Sequence, residues 1–238
     1  MIKGLVFDLD DTLSDERDYV RSGFDCVAHA AARSDAEAAR LADWMWAAFE
    51  SGVRGDTFDR LLAAFPDLGA RLTTDDLIAA YRNHVPAIEL APGVAELLDA
   101  LRTRDLRLGV LTDGPSASQS AKAAALQLDR WFDPIVLTDT LGPGFAKPSP
   151  DGFALISRRW GVPGRHLGYV ADNPEKDFVG PRQLGWATVR LRRPTQLRFA
   201  LEPADAAFAA DIELDDPAAI IGWLESSAAI GSEDQPGA

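Results

Sequence analysis

Residues 1–14 read MIKGLVFDLDDTLS, and they join an apolar run to a dense group of carboxylates. Residues 1–7 are almost all apolar, which is typical of a strand buried in a parallel sheet that is covered on both faces. Asp8, Asp10 and Asp11 follow within four positions. Carboxylates this close together repel one another and resist burial, so they need a cation or a shifted pKa. On its own the stretch fits a solvated turn equally well, so any partners of the aspartates must come from elsewhere in the chain.

The composition is that of a globular protein of 238 residues, of which 47% are hydrophobic and 26% charged. This length forms one large domain or two smaller ones. The net charge of -13 argues against a nucleic-acid partner but leaves a small phosphorylated substrate open. Cys26 is the one cysteine, which excludes an internal disulfide. With no leader-like start and no apolar stretch of membrane-spanning length, we expect a cytoplasmic protein without a membrane partner.

Two different patterns divide the chain. Residues 15–85 are rich in alanine and have helical periodicity with no clear strand, so we expect a helical insertion there. Residues 1–14 and 86–226 alternate strand-like and helix-like segments, which predicts a doubly wound α/β fold with a parallel sheet. Residues 227–238 are expected to form a disordered tail. After the first strand, the predicted strands are 106–111, 135–137, 167–170, 187–189 and 212–214.

Polar residues follow four of these strands. Ligands of a doubly wound sheet bind beyond the carboxyl ends of its strands, where the following loops meet. We therefore expect one rim of the sheet to bring together Asp8, Asp10, Thr112, Asp113, Lys147, Asp172, Asn173 and Asp177.

The chemistry of this set favours phosphoryl transfer. Several carboxylates at one point form a hard oxygen site that suits Mg²⁺. The Thr112 hydroxyl and the start of the following helix offer donors to phosphate oxygens, and Lys147 offers a compact positive charge. A carboxylate can also attack phosphorus as a nucleophile.

The same motifs resemble those of the haloacid dehalogenase (HAD) superfamily. Residues 7–13, FDLDDTL, match its DxDxT signature, and Thr112 with Asp113 looks like its second motif. Lys147 in the stretch KPSP is similar to the third motif, and Asp172 to Asp177 to the acidic fourth. The four motifs occur in the order typical of the superfamily, and the resemblance extends from residue 1 to about residue 190. The insertion lies where type C1 caps sit. The resemblance implies a Rossmann-like core, a helical cap and the phosphatase branch of the superfamily.

Residue roles follow from this resemblance. It makes Asp8 the nucleophile that forms an aspartyl-phosphate, and Asp10 the general acid and then the general base. It assigns Mg²⁺ to Asp8, the backbone carbonyl of Asp10 and Asp172. Asp177 would be a ligand through water or a hydrogen-bond acceptor behind the ligands.

The remaining motif residues would surround the phosphoryl group and the metal site. The resemblance implies that Thr112 and Lys147 bind the phosphoryl group and that Asn173 lies beside the metal ligands. Asp113 belongs to the same phosphate-binding motif. The family usually has a small or amide residue there, so a contact between the acidic Asp113 side chain and phosphate stays open.

Four residues outside these roles deserve separate expectations. We read Asp11 as a solvated or helix-capping acid. His84 lies near the return from the insertion to the core, where a hinge or surface role is expected. Arg17 and Tyr19 could face a substrate from the start of the insertion, although a plain helix surface is the simpler expectation.

Other activities remain to be weighed against a phosphatase. A 2-haloacid dehalogenase of the same superfamily is an alternative, but Asp10 argues against it because halide departure needs no proton donor. A phosphonatase would be expected to have a cap lysine, which residues 15–81 lack. A phosphomutase shares all four motifs and stays open. A non-enzymatic phosphate-receiving switch fits less well, because a large cap and an acid favour turnover. Nucleoside monophosphates, sugar phosphates and phosphoglycolate-like acids all remain candidate substrates, and the oligomeric state is not readable.

Overall fold

Six parallel strands form the central sheet of the computed structural model, which describes residues 1–230. The sheet order is β3-β2-β1-β4-β5-β6, and every neighbouring pair is parallel. This confirms the predicted α/β fold. The strands are β1 Gly4–Phe7, β2 Arg107–Thr112, β3 Ile135–Leu137, β4 Leu167–Ala171, β5 Ala187–Leu191 and β6 Ile212–Leu214.

Helices occupy both the insertion and the crossovers between strands. Between β1 and β2 lie α1 Glu16–Ala31, α2 Asp35–Glu50, α3 Thr57–Ala64, α4 Pro66–Gly69, α5 Thr74–Arg82 and α6 Val94–Arg102. After β2 come α7 Ser116–Ala125, α8 Asp151–Trp160, α9 Val179–Gln183 and α10 Ala219–Ile230. Helix α10 includes residues 227–230 of the predicted tail, and residues 231–238 lie outside the described residues. Within the described residues, no helix is long and apolar enough to cross a membrane.

Strand β1 lies at the middle of the sheet and is buried on both faces. Leu5 and Phe7 pack into the hydrophobic cluster on one face, whereas Val6 packs into the cluster on the other. Successive side chains of a strand point to opposite faces, which explains why the run is apolar at every position. The backbone N–H of Asp8 still donates to the carbonyl of Val170 at 2.9 Å. The motif carboxylates therefore begin where the central strand ends.

The helices of residues 16–82 have a hydrophobic cluster of their own. Val27, Leu41, Met45 and Leu61 are fully buried in it. The cluster includes Phe49 of α2, and the partly buried Trp44 and Trp46 of the same helix pack against it. These helices therefore pack mainly on one another, while Tyr19 of α1 and Tyr81 of α5 also contact the hydrophobic cluster beside the sheet.

Candidate active site

A cavity of about 370 Å³ opens at the carboxyl edge of β1, β2 and β4. Six of the eight predicted rim residues line it: Asp8, Asp10, Thr112, Asp113, Asp172 and Asn173. The remaining two, Lys147 and Asp177, are buried and contact the lining residues from behind. Tyr19, Tyr81 and Arg82 of the inserted helices also line the cavity. The structure thus brings all eight predicted residues to one place.

Lys147 joins two of the carboxylates. Its Nζ lies 2.9 Å from Asp8 Oδ2 and 2.8 Å from Asp177 Oδ1, and it donates to the Tyr169 hydroxyl at 2.9 Å. Burial alone would lower the pKa of Lys147, but Asp177 and Asp8 outweigh it and raise the pKa well above its usual value. Burial likewise acts to raise the pKa of Asp8, yet the charges of Lys147 and Lys176 bring it below its ordinary value. Asp8 is therefore an ionised carboxylate at neutral pH.

Three buried carboxylates form a compact group. Oxygens of Asp8, Asp172 and Asp177 lie within 4.8 Å of one another. Asp8 Oδ1 and Asp172 Oδ2 are buried and find no hydrogen-bond partner in the part of the chain that the structure describes. Burial, followed by repulsion from Asp177 and Asp8, raises the pKa of Asp172 well above its usual value. Because unpaired buried oxygens of this kind suit a hard cation, the donor set fits Mg²⁺.

Asp177 and Asn173 support this group from the loop after β4. Asp177 Oδ2 accepts the backbone N–H of Asn173 at 2.9 Å, while Asp177 Oδ1 faces Lys147. The side-chain oxygen of Asn173 accepts the N–H of Glu175 at 2.9 Å. Asp177 Oδ2 is thus held by the backbone, whereas Asp177 Oδ1 pairs with the charge of Lys147 but has no hydrogen bond among the described residues.

The Asp10 carboxylate has partners that the sequence analysis missed. Lys122 Nζ lies 2.6 Å from Asp10 Oδ1, and Gln119 Nε2 donates to Asp10 Oδ2 at 2.9 Å. Gln119 also donates to Thr112 Oγ1 at 2.6 Å. The chain has only four lysines, and this scarcity was the available signal for Lys122 and for Lys176.

The Asp113 side chain is held by other protein groups. Thr138 Oγ1 donates to Asp113 Oδ1 at 2.7 Å, and the backbone N–H of Lys147 reaches the same oxygen at 3.3 Å. Lys176 Nζ lies 3.3 Å from Asp113 Oδ2. Although Asp113 lines the cavity, both of its carboxylate oxygens are already occupied. Its acidic side chain therefore fixes the loops around Lys147 and Lys176.

Asp11 differs from its prediction in one respect. It is fully buried, so the expectation of a solvated acid is wrong. It does cap a helix, since its Oδ1 accepts the N–H of Glu16, the first residue of α1, at 2.8 Å. Its Oδ2 accepts the N–H of Leu197 at 2.9 Å. Burial raises the pKa of Asp11 to about 6. Asp11 thus joins the first inserted helix to the loop after β5.

The other candidate residues separate clearly. His84 is buried, so a surface role is wrong; its ring lies 4.9 Å from that of Tyr19 and 5.8 Å from that of Tyr81. Tyr19 lines the cavity, and its ring centre lies 3.9 Å from Lys122 Nζ. Arg17 does not line this cavity but pairs with Glu50 on α2. Of the two early helix residues, Tyr19 is the one that faces the site.

The family model of the haloacid dehalogenase-like hydrolases matches residues 2–185. The chain belongs to this family. The match spans all four motifs and the inserted helices, so the predicted HAD membership is confirmed.

Relatives and solved structures agree with this family and fold. The chain is 29% identical over 196 residues to a glyceraldehyde 3-phosphate phosphatase of Methanocaldococcus jannaschii, covering 80% of this chain and 85% of that protein. It is 24% identical over 212 residues to a phosphoglycolate phosphatase of Escherichia coli, covering 80% and 81%. A HAD-hydrolase of Bacillus subtilis bound to magnesium shares the fold, with a TM-score of 0.64, 20% identity and coverage of 94% and 98%.

Proposed function

We propose that the chain is a Mg²⁺-dependent phosphatase that hydrolyses a small phosphorylated metabolite through an aspartyl-phosphate on Asp8. The observation that carries the proposal is the setting of Asp8 on the cavity wall. One of its oxygens is paired with Lys147, and the other is buried without a hydrogen-bond partner among the described residues. The phosphatase names of the two relatives agree with a phosphoric monoester hydrolase.

The first chemical step forms the covalent intermediate. An oxygen of Asp8 attacks phosphorus, and the bond from phosphorus to the leaving oxygen breaks. Asp10 gives a proton to that oxygen, so the alcohol leaves neutral. In this scheme the phosphoryl group is held by Thr112 and Lys147. The Thr112 hydroxyl and the Asp10 carboxylate both accept hydrogen bonds from Gln119.

The second step returns the enzyme to its starting state. Asp10, now a carboxylate, takes a proton from water, and the water oxygen bonds to phosphorus. The bond between phosphorus and Asp8 breaks, which releases inorganic phosphate and restores both carboxyl groups. The two steps together consume one water for each ester cleaved.

The residues that would hold Mg²⁺ in this proposal are Asp8, Asp172 and the backbone carbonyl of Asp10. Asp177 and Asn173 would stand behind them, since Asp177 already engages Lys147 and the Asn173 N–H. When bound, Mg²⁺ supplies positive charge that offsets the repulsion among carboxylates and phosphate oxygens. The raised pKa of Asp172 comes from burial and from repulsion by Asp177 and Asp8, and a bound cation would offset that repulsion.

In this proposal, residues 15–85, which contain helices α1–α5, form a cap over the cavity. Tyr19, Tyr81 and Arg82 line the cavity from that side, whereas the motif residues line it from the sheet. The volume of about 370 Å³ lies near the lower end of the usual range for ligand pockets, ~300–1,000 Å³. This volume accommodates a small substrate such as a triose phosphate or a phosphoglycolate-like acid.

A screen of phosphorylated metabolites, with Mg²⁺ present and inorganic phosphate as the readout, tests this function. We expect wild type to release phosphate from small phosphate esters and Asp8→Asn to release none above background. Glu175→Gln, at an exposed position near the site, is the matched control and should behave as wild type. Isomerised substrate without free phosphate would favour the phosphomutase alternative, and equal activity of Asp8→Asn would contradict the proposal.

A further inference from the structure

Gln119 and Lys122 occupy one face of α7, three residues apart, and both point at Asp10. Such spacing places two side chains side by side on a helix. Gln119 is 1% exposed and Lys122 is 5% exposed. Each holds a different oxygen of the Asp10 carboxylate, at 2.9 Å and 2.6 Å respectively. Both oxygens of Asp10 are therefore fixed by a single rigid element.

The burial of Lys122 is explained by Asp10 and one aromatic ring. A buried ammonium group is unfavourable unless it is paired and hydrogen-bonded. Lys122 Nζ has Asp10 on one side and the face of Tyr19, at 3.9 Å from the ring centre, on another. Lys176, the other lysine that lines the cavity, is paired with Asp113 instead. The two lysines thus serve different carboxylates.

Gln119 connects Asp10 to the phosphate side of the cavity. Its Nε2 carries two hydrogens, and it donates to both Asp10 Oδ2 and Thr112 Oγ1. Thr112 is the last residue of β2, so its position is fixed by the sheet. Gln119 therefore sets the distance between the Asp10 carboxyl group and the hydroxyl proposed to hold the phosphoryl group.

We propose that Gln119 and Lys122 are positioning residues, which hold Asp10 where it can protonate the leaving oxygen. This inference rests on the proposed role of Asp10. The reaction slows when the side chain of its general acid can rotate away from the leaving oxygen. Two hydrogen bonds from one helix prevent this rotation. The two residues should then matter most for substrates whose leaving group needs a proton.

The test compares kcat/KM for an alkyl phosphate and for p-nitrophenyl phosphate in Lys122→Met and Gln119→Leu, with Mg²⁺ present. kcat/KM covers the steps up to departure of the leaving group. General acid catalysis is worth ~10²–10⁴-fold, and misplacing the acid should forfeit roughly 10–100-fold of it for the alkyl ester. p-Nitrophenolate leaves without a proton, so its kcat/KM should fall by less than about 3-fold if only acid catalysis is affected. Lys122→Arg should recover part of the alkyl activity.

Two further variants separate this inference from the proposed function. Lys176→Met removes the cavity lysine that is paired with Asp113, and it should change kcat/KM for both esters by the same factor. Asp10→Asn should reproduce the selective loss, and adding Lys122→Met to it should have no further effect on the alkyl ester.

The outcomes are distinct. If Asp10→Asn loses both esters equally, the proposed role of Asp10 is wrong. If Asp10→Asn is selective while folded Lys122→Met and Gln119→Leu lose both esters equally or neither, the positioning inference alone is wrong. Thermal midpoints show which variants are folded; if Lys122→Met is not, Gln119→Leu decides the question.

Discussion

The ammonium group of Lys147 lies 2.9 Å from the Asp8 carboxylate, and both side chains are buried. The same nitrogen lies 2.8 Å from Asp177, so one lysine balances two buried acids. This balance outweighs burial and keeps the pKa of Asp8 below its usual value. Asp8 is thereby ionised at neutral pH, as its proposed role of nucleophile requires. The lysine also prevents two neighbouring carboxylates from destabilising the fold.

Replacing Lys147 with Met should therefore reduce both activity and stability. Removing one partner of a buried ion pair costs about 3–5 kcal/mol, because the other charge is left uncompensated. Urea unfolding should show this loss at pH 7 and a smaller loss at pH 5, where the stranded carboxylates take up protons. Lys3→Met, which changes the exposed lysine before β1, should unfold like wild type. If Lys147→Met is as stable as wild type, Lys147 does not balance the charges of Asp8 and Asp177 as described.

Asp172→Asn should separate metal binding from folding. Burial and repulsion raise the pKa of Asp172, so its charge opposes folding at pH 7 in the absence of a cation. We expect the metal-free variant to melt at a higher temperature than the metal-free wild type. Adding Mg²⁺ should raise the midpoint of wild type and of Glu175→Gln, but not that of Asp172→Asn.

Activity provides a second measurement on the same site. Excess chelator should abolish phosphate release by wild type, and Mg²⁺ should restore it. Full activity in excess chelator would remove the metal from the proposal, whatever the melting data show.

Asp11 should affect stability rather than chemistry. Asp11→Ala leaves the N–H groups of Glu16 and Leu197 without their carboxylate acceptor, at about 1–3 kcal/mol each. The φ of +55° adds strain for Ala, whereas Asn tolerates this conformation. We therefore expect Asp11→Ala to melt below Asp11→Asn, with kcat for folded protein close to wild type. A large loss of kcat at unchanged stability would contradict a structural role.

The pH dependence of the Asp11 variants has a definite sign. The pKa of Asp11 is about 6 in the folded protein, above the ordinary value of 3.8. The folded state therefore binds the proton more tightly than the unfolded state does. The stability of wild type relative to Asp11→Asn should rise as the pH falls from 7 towards 4, by up to about 3 kcal/mol. If the relative stability does not change between these pH values, the pKa of Asp11 is not raised in the folded protein.

Tyr19 and Arg17 offer a matched pair for the cap. Both belong to α1, but only Tyr19 lines the cavity. Tyr19→Leu should change the ranking of substrates by kcat/KM, because it alters the part of the cavity wall that the inserted helices provide. Arg17→Leu breaks a surface ion pair worth about 0–1 kcal/mol and should leave the ranking unchanged. If folded Tyr19→Leu loses every substrate in equal proportion, these helices do not select substrate.

The residues that could be predicted best from the sequence are those that lie at the end of a strand. Asp8, Thr112 and Asp172 lie at or next to the ends of β1, β2 and β4, and a buried parallel strand has a pattern that is easy to find. Gln119 and Lys122 escaped prediction because they lie within a helix of sequence SASQSAKAAA, which has no strong apolar face. Their partner Asp10 is more than one hundred positions away, and no local pattern encodes such a contact.

Asp11 shows the same limit. Its environment depends on Leu197, in the loop after β5 that folds back over the start of α1. A carboxylate among other carboxylates after a strand is solvated in most chains, since burial needs donors from elsewhere. Here the N–H of the nearby Glu16 supplies one donor, as the helix-capping expectation allowed, but the N–H of Leu197 comes from a segment 186 positions away, and only the folded structure reveals it.

Covalent phosphate on Asp8 is the central claim, and the Asp10→Asn variant can trap it. p-Nitrophenyl phosphate has a leaving group that needs little protonation, so Asp10→Asn should still transfer phosphate to Asp8 but hydrolyse it slowly. Rapid mixing should give a burst of p-nitrophenol close to one per active site. Mass spectrometry of the quenched protein should then find one added phosphoryl group on Asp8, absent when Asp8 is also replaced. A burst-phase protein that carries no phosphate on Asp8 would contradict the covalent mechanism and favour direct attack by water.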